Sequence, residues 1–143
     1  MASRRILVAY QDDHVGESVS TYFQDAGYRV DTATMVSDVL RKVKNSAIEV
    51  ILMDDELEGI RAYDLVPVLK GMNNGVQVIV VSSEERLGLV RRLRGAGIFY
   101  HAMKPVDLEE LKSAVECAFE KVEKEKSVGR GFLSFLVPGR VPA

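Results

Sequence analysis

Two kinds of hydrophobic pattern alternate along this chain. A short strand is predicted at residues 28–33, and short, mostly apolar runs occupy residues 6–10, 50–53, 76–81 and 98–102. Such runs, bounded by turn residues, are typical of strands that are buried in a parallel sheet. After each run, apolar residues recur three and four positions apart, which predicts an amphipathic helix. The pattern therefore predicts a strand followed by a helix, five times in succession.

Capping and turn residues set the expected ends of the helices. The second helix should start after Thr34, which can cap it. We place the start of the third helix near Asp64, because Pro67 is tolerated only in a first turn. The fourth helix should cover residues 84–94 and stop at the glycines that follow, and the fifth should have Asp107 as its N-cap.

The same spacing predicts which helical residues face the sheet. These are Val15, Val19, Tyr22, Phe23 and Ala26 in the first helix, Leu87, Val90 and Leu93 in the fourth, and Leu108, Leu111, Val115, Ala118, Phe119 and Val122 in the fifth. A strand and a helix repeated five times require parallel strands with right-handed crossovers and helices on both faces. We therefore predict an α/β fold with a doubly wound, five-stranded parallel sheet.

Residues 1–126 carry this pattern and are predicted to form one domain. After Lys126 the composition changes, because residues 127–143 contain three glycines, two prolines and an apolar cluster at 132–137. We interpret residues 127–143 as a C-terminal tail. Leaving the cluster in water costs about 25 cal/mol per Å² of apolar surface, so we expect it to dock on the domain or on a partner.

The composition excludes several classes of protein. The 143 residues are 47% hydrophobic and 28% charged, which suits one globular domain. The net charge of −2 gives no general attraction to nucleic acid or to an anionic membrane. The single cysteine, Cys117, excludes an intramolecular disulfide, and we interpret it as a small core residue. We find neither a signal peptide nor an apolar stretch of ~20 residues, so we expect a cytoplasmic protein without a membrane span.

Asp54 is the first candidate for a reactive group. It follows the apolar run 50–53 directly and therefore should lie at the carboxyl end of a buried strand. Ligands and reactive groups collect at these strand ends in open parallel sheets. An aspartate after a strand also commonly opens a turn, so the position alone is compatible with either role.

Four motifs together resemble the receiver domain of bacterial two-component response regulators. The first is the apolar run that ends in Asp54, and the second is the strand that ends in Ser82. The third is Gly97, seven residues before Lys104, and the fourth is the pair of Lys104 and Pro105. The resemblance covers residues 4 to about 125. It implies a CheY-like, flavodoxin-like (βα)5 fold with the strand order 2-1-3-4-5.

The resemblance also implies roles for individual residues. Asp54 would be the phosphoacceptor and would attack a phosphoryl group as a carboxylate nucleophile. Lys104 would pair with the phosphoryl charge and Ser82 would donate a hydrogen bond to it. We also expect Lys104 to contact Asp54 before phosphorylation, with a cis peptide bond to the next residue. The family's switch position and its two variable pocket positions correspond to His101, Glu56 and Glu84.

One departure from the family concerns its metal site. The family holds Mg²⁺ with an acidic pair at the end of the first strand, where this chain has Tyr10 and Gln11. Mg²⁺ prefers near-octahedral oxygen ligands, usually carboxylates and water. Asp12 follows one residue late, so a site built from Asp54, Gln11 and Asp12 is doubtful. We predict weak or absent binding of Mg²⁺.

These observations leave alternative functions open. The first is a stand-alone response regulator, not an enzyme, that receives a phosphoryl group from a histidine kinase or phosphotransfer protein and acts on a downstream effector. The second is a pseudo-receiver that binds proteins without metal-dependent phosphorylation. A flavin carrier would need a phosphate-binding loop after the first strand, and residues 10–16 lack one.

The surface offers one further prediction about partners. The arginines of the fourth helix, Arg91 and Arg92 among them, lack the interleaved aromatic residues of a nucleic-acid site. We expect them to contribute to a protein interface, either with an effector or in a homodimer. Only 17 residues follow Lys126, so we do not expect a DNA-binding domain.

Overall fold

Within residues 4–45, 47–83 and 86–136, which this computed structural model describes, five parallel strands form the central sheet. They are β1 (Arg5–Ala9), β2 (Arg29–Ala33), β3 (Val50–Asp54), β4 (Gln77–Ser82) and β5 (Tyr100–Met103). The helices are α1 (Asp13–Asp25), α2 (Val36–Asn45), α3 (Ala62–Met72), α4 (Leu87–Ala96) and α5 (Leu108–Leu136). The strand order β2-β1-β3-β4-β5 confirms the predicted fold class.

The core consists of two layers, one on each face of the sheet. Side chains of successive strand residues point to opposite faces, so Leu7 and Ile51 pack with α2, α3 and α4. Ile6 and Leu52 pack on the other face with α1 and α5. Because β3 lies between β1 and β4 and is covered on both faces, all five of its residues are buried. This central position delivers Asp54 to the edge of the sheet.

The predicted start of α3 was wrong. The helix begins at Ala62, so Asp64 lies in its first turn and Pro67 lies inside the helix. Burial of Ala62 and Leu65 extends the apolar face of the helix toward its start. We attribute the longer helix to this packing, which outweighs the helical hydrogen bond that Pro67 cannot donate.

The predicted boundaries and inner face of α4 were also partly wrong. The helix starts at Leu87 rather than at residue 84, and it continues to Ala96. It ends at Gly97, whose φ of +95° is a left-handed conformation that glycine adopts without strain. Leu87 is 62% exposed, and the buried leucines of this helix are Leu89 and Leu93.

Smaller errors concern single positions on α1 and α5. Val15 and Ala26 are exposed, whereas Gly16 and Ser20 are buried. The buried stripe of α1 is therefore rotated relative to the prediction, because two small residues allow the helix to approach the sheet closely. Cys117, predicted to be a core residue, is exposed on α5.

The start of α5 follows the prediction and its end does not. The Asp107 carboxylate accepts the amides of Glu109 and Glu110 at 3.0 and 3.2 Å, which confirms the N-cap. The backbone then stays helical to Leu136, past Lys126, where we placed the start of the tail. The side chains of residues 129–136 and all of residues 137–143 lie outside the described structure, so docking of the apolar cluster stays a prediction.

Candidate functional site

The register of β3, β4 and β5 brings the predicted site residues to one edge of the sheet. Asp54 lies opposite Val81, the residue before Ser82. Ser82 lies opposite Met103, and its carbonyl accepts the Lys104 amide at 2.8 Å. Because all three strands are parallel, their carboxyl ends carry these side chains into the same region.

Asp54 and Lys104 form an ion pair at this edge. The Lys104 Nζ atom lies 2.7 Å from Asp54 Oδ1, which confirms the predicted contact. The other carboxylate oxygen, Oδ2, accepts the Gln11 backbone amide at 3.0 Å. The Asp54 side chain is 10% exposed and that of Lys104 is 39% exposed, so a largely buried anion is paired with a cation at the surface. The peptide bond between Lys104 and Pro105 is cis, as predicted.

A surface cleft of about 580 Å³ adjoins this ion pair. It lies between the start of α1 and the connection from β5 to α5. Besides Asp54 and Lys104, its lining includes His14, Val15 and Val106. A partner that reaches Asp54 through this cleft would contact apolar side chains on both walls.

Ser82 has a protein partner close to Asp54. The side chain is fully buried, and its hydroxyl donates to Asp55 Oδ2 at 3.3 Å. Asp55 was not singled out as a site residue, although its position directly after Asp54 was a usable signal. The structure therefore puts Ser82 next to the site, and its predicted role toward a phosphoryl group stays a prediction.

The remaining predicted positions have different surroundings. Glu56 Oε2 lies 3.9 Å from Arg61 Nη1, across a two-residue antiparallel ladder that follows Asp54. His101 is half-buried on β5, and its Nε2 atom is buried without a hydrogen-bond partner among the described residues. Glu84 lies outside the described residues.

The side chains at the family's metal-binding positions do not fit a magnesium site. Tyr10 is 2% exposed, and its burial, assisted by the negative charge of Asp54, raises the pKa of its phenol. Its hydroxyl therefore stays protonated and is a poor ligand for Mg²⁺. The Asp12 carboxylate caps α1 and accepts the amides of His14 and Val15 at 2.8 and 3.3 Å. No group of three or more His, Cys, Asp or Glu side chains suited to a metal ion occurs among the described residues.

Gln11 and Glu58 connect the loops around Asp54. The Gln11 side-chain oxygen, Oε1, accepts the backbone amide of Glu58 at 2.9 Å. The Glu58 carboxylate accepts the Val36 amide at 2.5 Å, at the start of α2, where the sequence predicted a cap from Thr34. Sequence reasoning noted Glu58 only as a replacement for the family's usual proline, and its spacing from Val36 carried no signal for this contact.

Comparison with known proteins decides the family of this chain. The sequence profile described as "Response regulator receiver domain" matches residues 6–116, which is most of the chain. The chain belongs to this family. Receiver domains act in two-component phosphorelay signalling, interact with histidine kinases and effectors, and generally use Mg²⁺ for phosphorylation.

Two similar receiver-containing proteins are transcriptional regulators. The chain is 29% identical over 118 residues to the DNA-binding transcriptional regulator NtrC of Azospirillum brasilense, and covers 24% of that protein. It is 26% identical over 147 residues to the transcriptional regulatory protein PrrA of Mycobacterium leprae, and covers 62% of it. These alignments include 82% and 98% of this chain. This receiver chain therefore spans less than two thirds of the length of either relative.

Solved receiver domains share the fold. The CheY-like receiver domain protein of Methanospirillum hungatei JF-1 superposes with a TM-score of 0.81 at 24% identity, over 87% of this chain and 99% of that one. The beryllofluoride-activated NtrC4 receiver domain dimer gives a TM-score of 0.78 at 22% identity, over 83% and 98% of the two chains.

Among the described residues of this receiver, no helix has the length and apolar content needed to cross a membrane.

Proposed function

We propose that this chain acts as the receiver of a response regulator and that Asp54 accepts the phosphoryl group. The observation that carries the proposal is the ion pair between Asp54 and Lys104, at 2.7 Å, beside an open cleft. A carboxylate held at the end of a central strand, with a cation already in contact, has the nucleophile and the charge partner that phosphoryl transfer needs.

The chemistry follows from the two groups that contact the carboxylate. One Asp54 oxygen attacks the phosphorus of a phosphohistidine, an O–P bond forms, and the P–N bond to the imidazole breaks. The imidazole nitrogen keeps the electron pair of that bond and takes up a proton. Lys104 Nζ and the Gln11 amide then serve as positively polarised groups close to the transferred phosphoryl oxygens. Apart from the phosphohistidine of the partner, this sequence of steps uses only residues of this chain.

The same site supports a second candidate, a pseudo-receiver that works through protein contacts alone. An aspartyl phosphate carries almost two negative charges, and Lys104 supplies one positive charge. Neither Tyr10 nor Gln11 supplies a further positive charge. The Tyr10 phenol is neutral and buried, and the Gln11 side-chain oxygen already accepts the Glu58 amide. This charge deficit favours slow phosphorylation compared with a receiver that has an acidic pair and a bound cation.

Phosphorylation with acetyl phosphate, followed by intact-protein mass spectrometry, tests the proposal. We expect one phosphoryl group on the unaltered protein, none on Asp54→Asn, and slower labelling of Lys104→Met. Labelling that persists in Asp54→Asn would show that another residue is the acceptor. If the unaltered protein stays unlabelled under conditions that label a receiver with an intact acidic pair, the pseudo-receiver is the correct function.

The partners proposed for the chain follow from this function. A histidine kinase or a phosphotransfer protein would present its phosphohistidine at the cleft beside Asp54. An effector protein would respond to the phosphorylated form. The chain would act as a signalling module and not as a metabolic enzyme.

A further inference from the structure

Three connections around Asp54 are joined by hydrogen bonds. Gln11, after β1, donates its backbone amide to Asp54 and accepts the Glu58 amide with its side-chain oxygen. Glu58, after β3, accepts the first amide of α2 from Val36. The chain of contacts therefore runs from the connection after β1 through the connection after β3 to the start of α2.

The backbone of Glu58 has an unfavourable conformation that these contacts can offset. Its φ is +51°, a left-handed conformation that residues with a side chain adopt rarely. Both its amide and its carboxylate are engaged, at 2.9 and 2.5 Å. A negative side chain at the start of a helix also interacts favourably with the helix dipole. These contacts compensate for the unfavourable backbone conformation.

We propose that Gln11 and Glu58 form a direct brace that takes the structural place of a bridging metal ion. A cation bound between the connections after β1 and β3 would pull them together through their oxygen atoms. Here the Gln11 side-chain oxygen, the atom that could otherwise face a cation, is occupied by a backbone N–H group. The two connections are thus joined directly, and a cation at this position would compete with the Glu58 amide for a Gln11 oxygen that is only a neutral ligand.

This inference does not depend on phosphorylation of Asp54. It concerns the resting site, and its test uses no phosphoryl donor, so either proposal can fail while the other stands. Gln11 is exposed at the surface, and variants at this position are expected to fold.

The test measures backbone amide exchange at Glu58 by NMR, in EDTA and in MgCl₂. The unaltered protein should show a protected Glu58 amide in EDTA and no further protection in MgCl₂. Gln11→Met keeps the length of the side chain and removes the oxygen, so exchange should be about fivefold faster, as expected for the loss of one hydrogen bond. Gln11→Asp is too short for the brace but offers a carboxylate, so exchange should be faster to a similar extent in EDTA and slow again with MgCl₂.

Three results would overturn the proposal. The first is an unprotected Glu58 amide in the unaltered protein, or protection that appears only with Mg²⁺. The second is a Gln11→Met variant with unchanged exchange. The third is a Gln11→Asp variant that stays unprotected with Mg²⁺ present, since the brace and the cation would then not be alternatives.

Discussion

Replacing Asp54 and Lys104 by alanine, singly and together, should reveal a coupling free energy of about 1–2 kcal/mol in a double-mutant cycle. Opposite charges about 4 Å apart attract by about 4 kcal/mol at an effective dielectric constant near 20. Desolvation of the two groups removes part of this energy. The Asp54 side chain is 10% exposed and that of Lys104 is 39% exposed, so the result should lie between those for exposed and buried pairs.

The single substitutions should differ in cost. Lys104→Ala leaves the carboxylate of Asp54 largely buried, with the Gln11 amide as its described partner. Asp54→Ala instead frees a lysine that can turn to water. We therefore expect Lys104→Ala to lower the free energy of unfolding more than Asp54→Ala does, because an unpaired buried charge is costly.

The ion pair of Asp38 and Arg41 is a matched control. Its N–O distance is 2.6 Å, nearly that of the site pair, but its side chains are 39% and 61% exposed. Urea unfolding at neutral pH and low salt measures both cycles. The control coupling should be clearly smaller. Equal couplings for the two pairs would refute the reasoning, since burial would then not set the strength of the Asp54–Lys104 interaction.

Four further predictions concern other parts of the chain. Burial raises the pKa of the Tyr10 phenol, so the unfolded chain loses this proton first and the free energy of unfolding should fall as pH rises above about 10. Tyr10→Phe should remove this fall and leave the free energy of unfolding in urea at neutral pH equal or higher. A strongly destabilised variant would contradict this. Replacing both Tyr10 and Gln11 by Asp should tighten Mg²⁺ binding at least about tenfold, or about 1.4 kcal/mol, as measured by calorimetry. Tight Mg²⁺ binding by the unaltered protein would contradict this prediction. Arg91→Glu on the exposed face of α4 should weaken partner association without a change in melting temperature, and unchanged affinity would count against that interface. Truncation after Lys126 should lower the melting temperature if the apolar cluster docks on its own domain, or change the mass in solution if it docks on another molecule; a variant equal in both would leave the cluster without a role.

The sequence by itself determined the succession of strands and helices and the family motifs. Strands covered on both faces must be apolar throughout, so β1, β3 and β4 are visible as apolar runs. The connection rules of parallel sheets then predict that Asp54 and Lys104 end on the same edge. Their contact at 2.7 Å confirms a prediction that rested on the strand ends together with the family resemblance.

Only the tertiary structure decided the helix limits and the partners of individual side chains. Pro67 predicted a late start for α3, but burial of Ala62 and Leu65 accompanies an earlier one. The contacts of Gln11 and Glu58 join residues that are far apart in sequence. Such contacts depend on how two loops approach each other and on side-chain torsions, and hydrophobic periodicity carries no information about either.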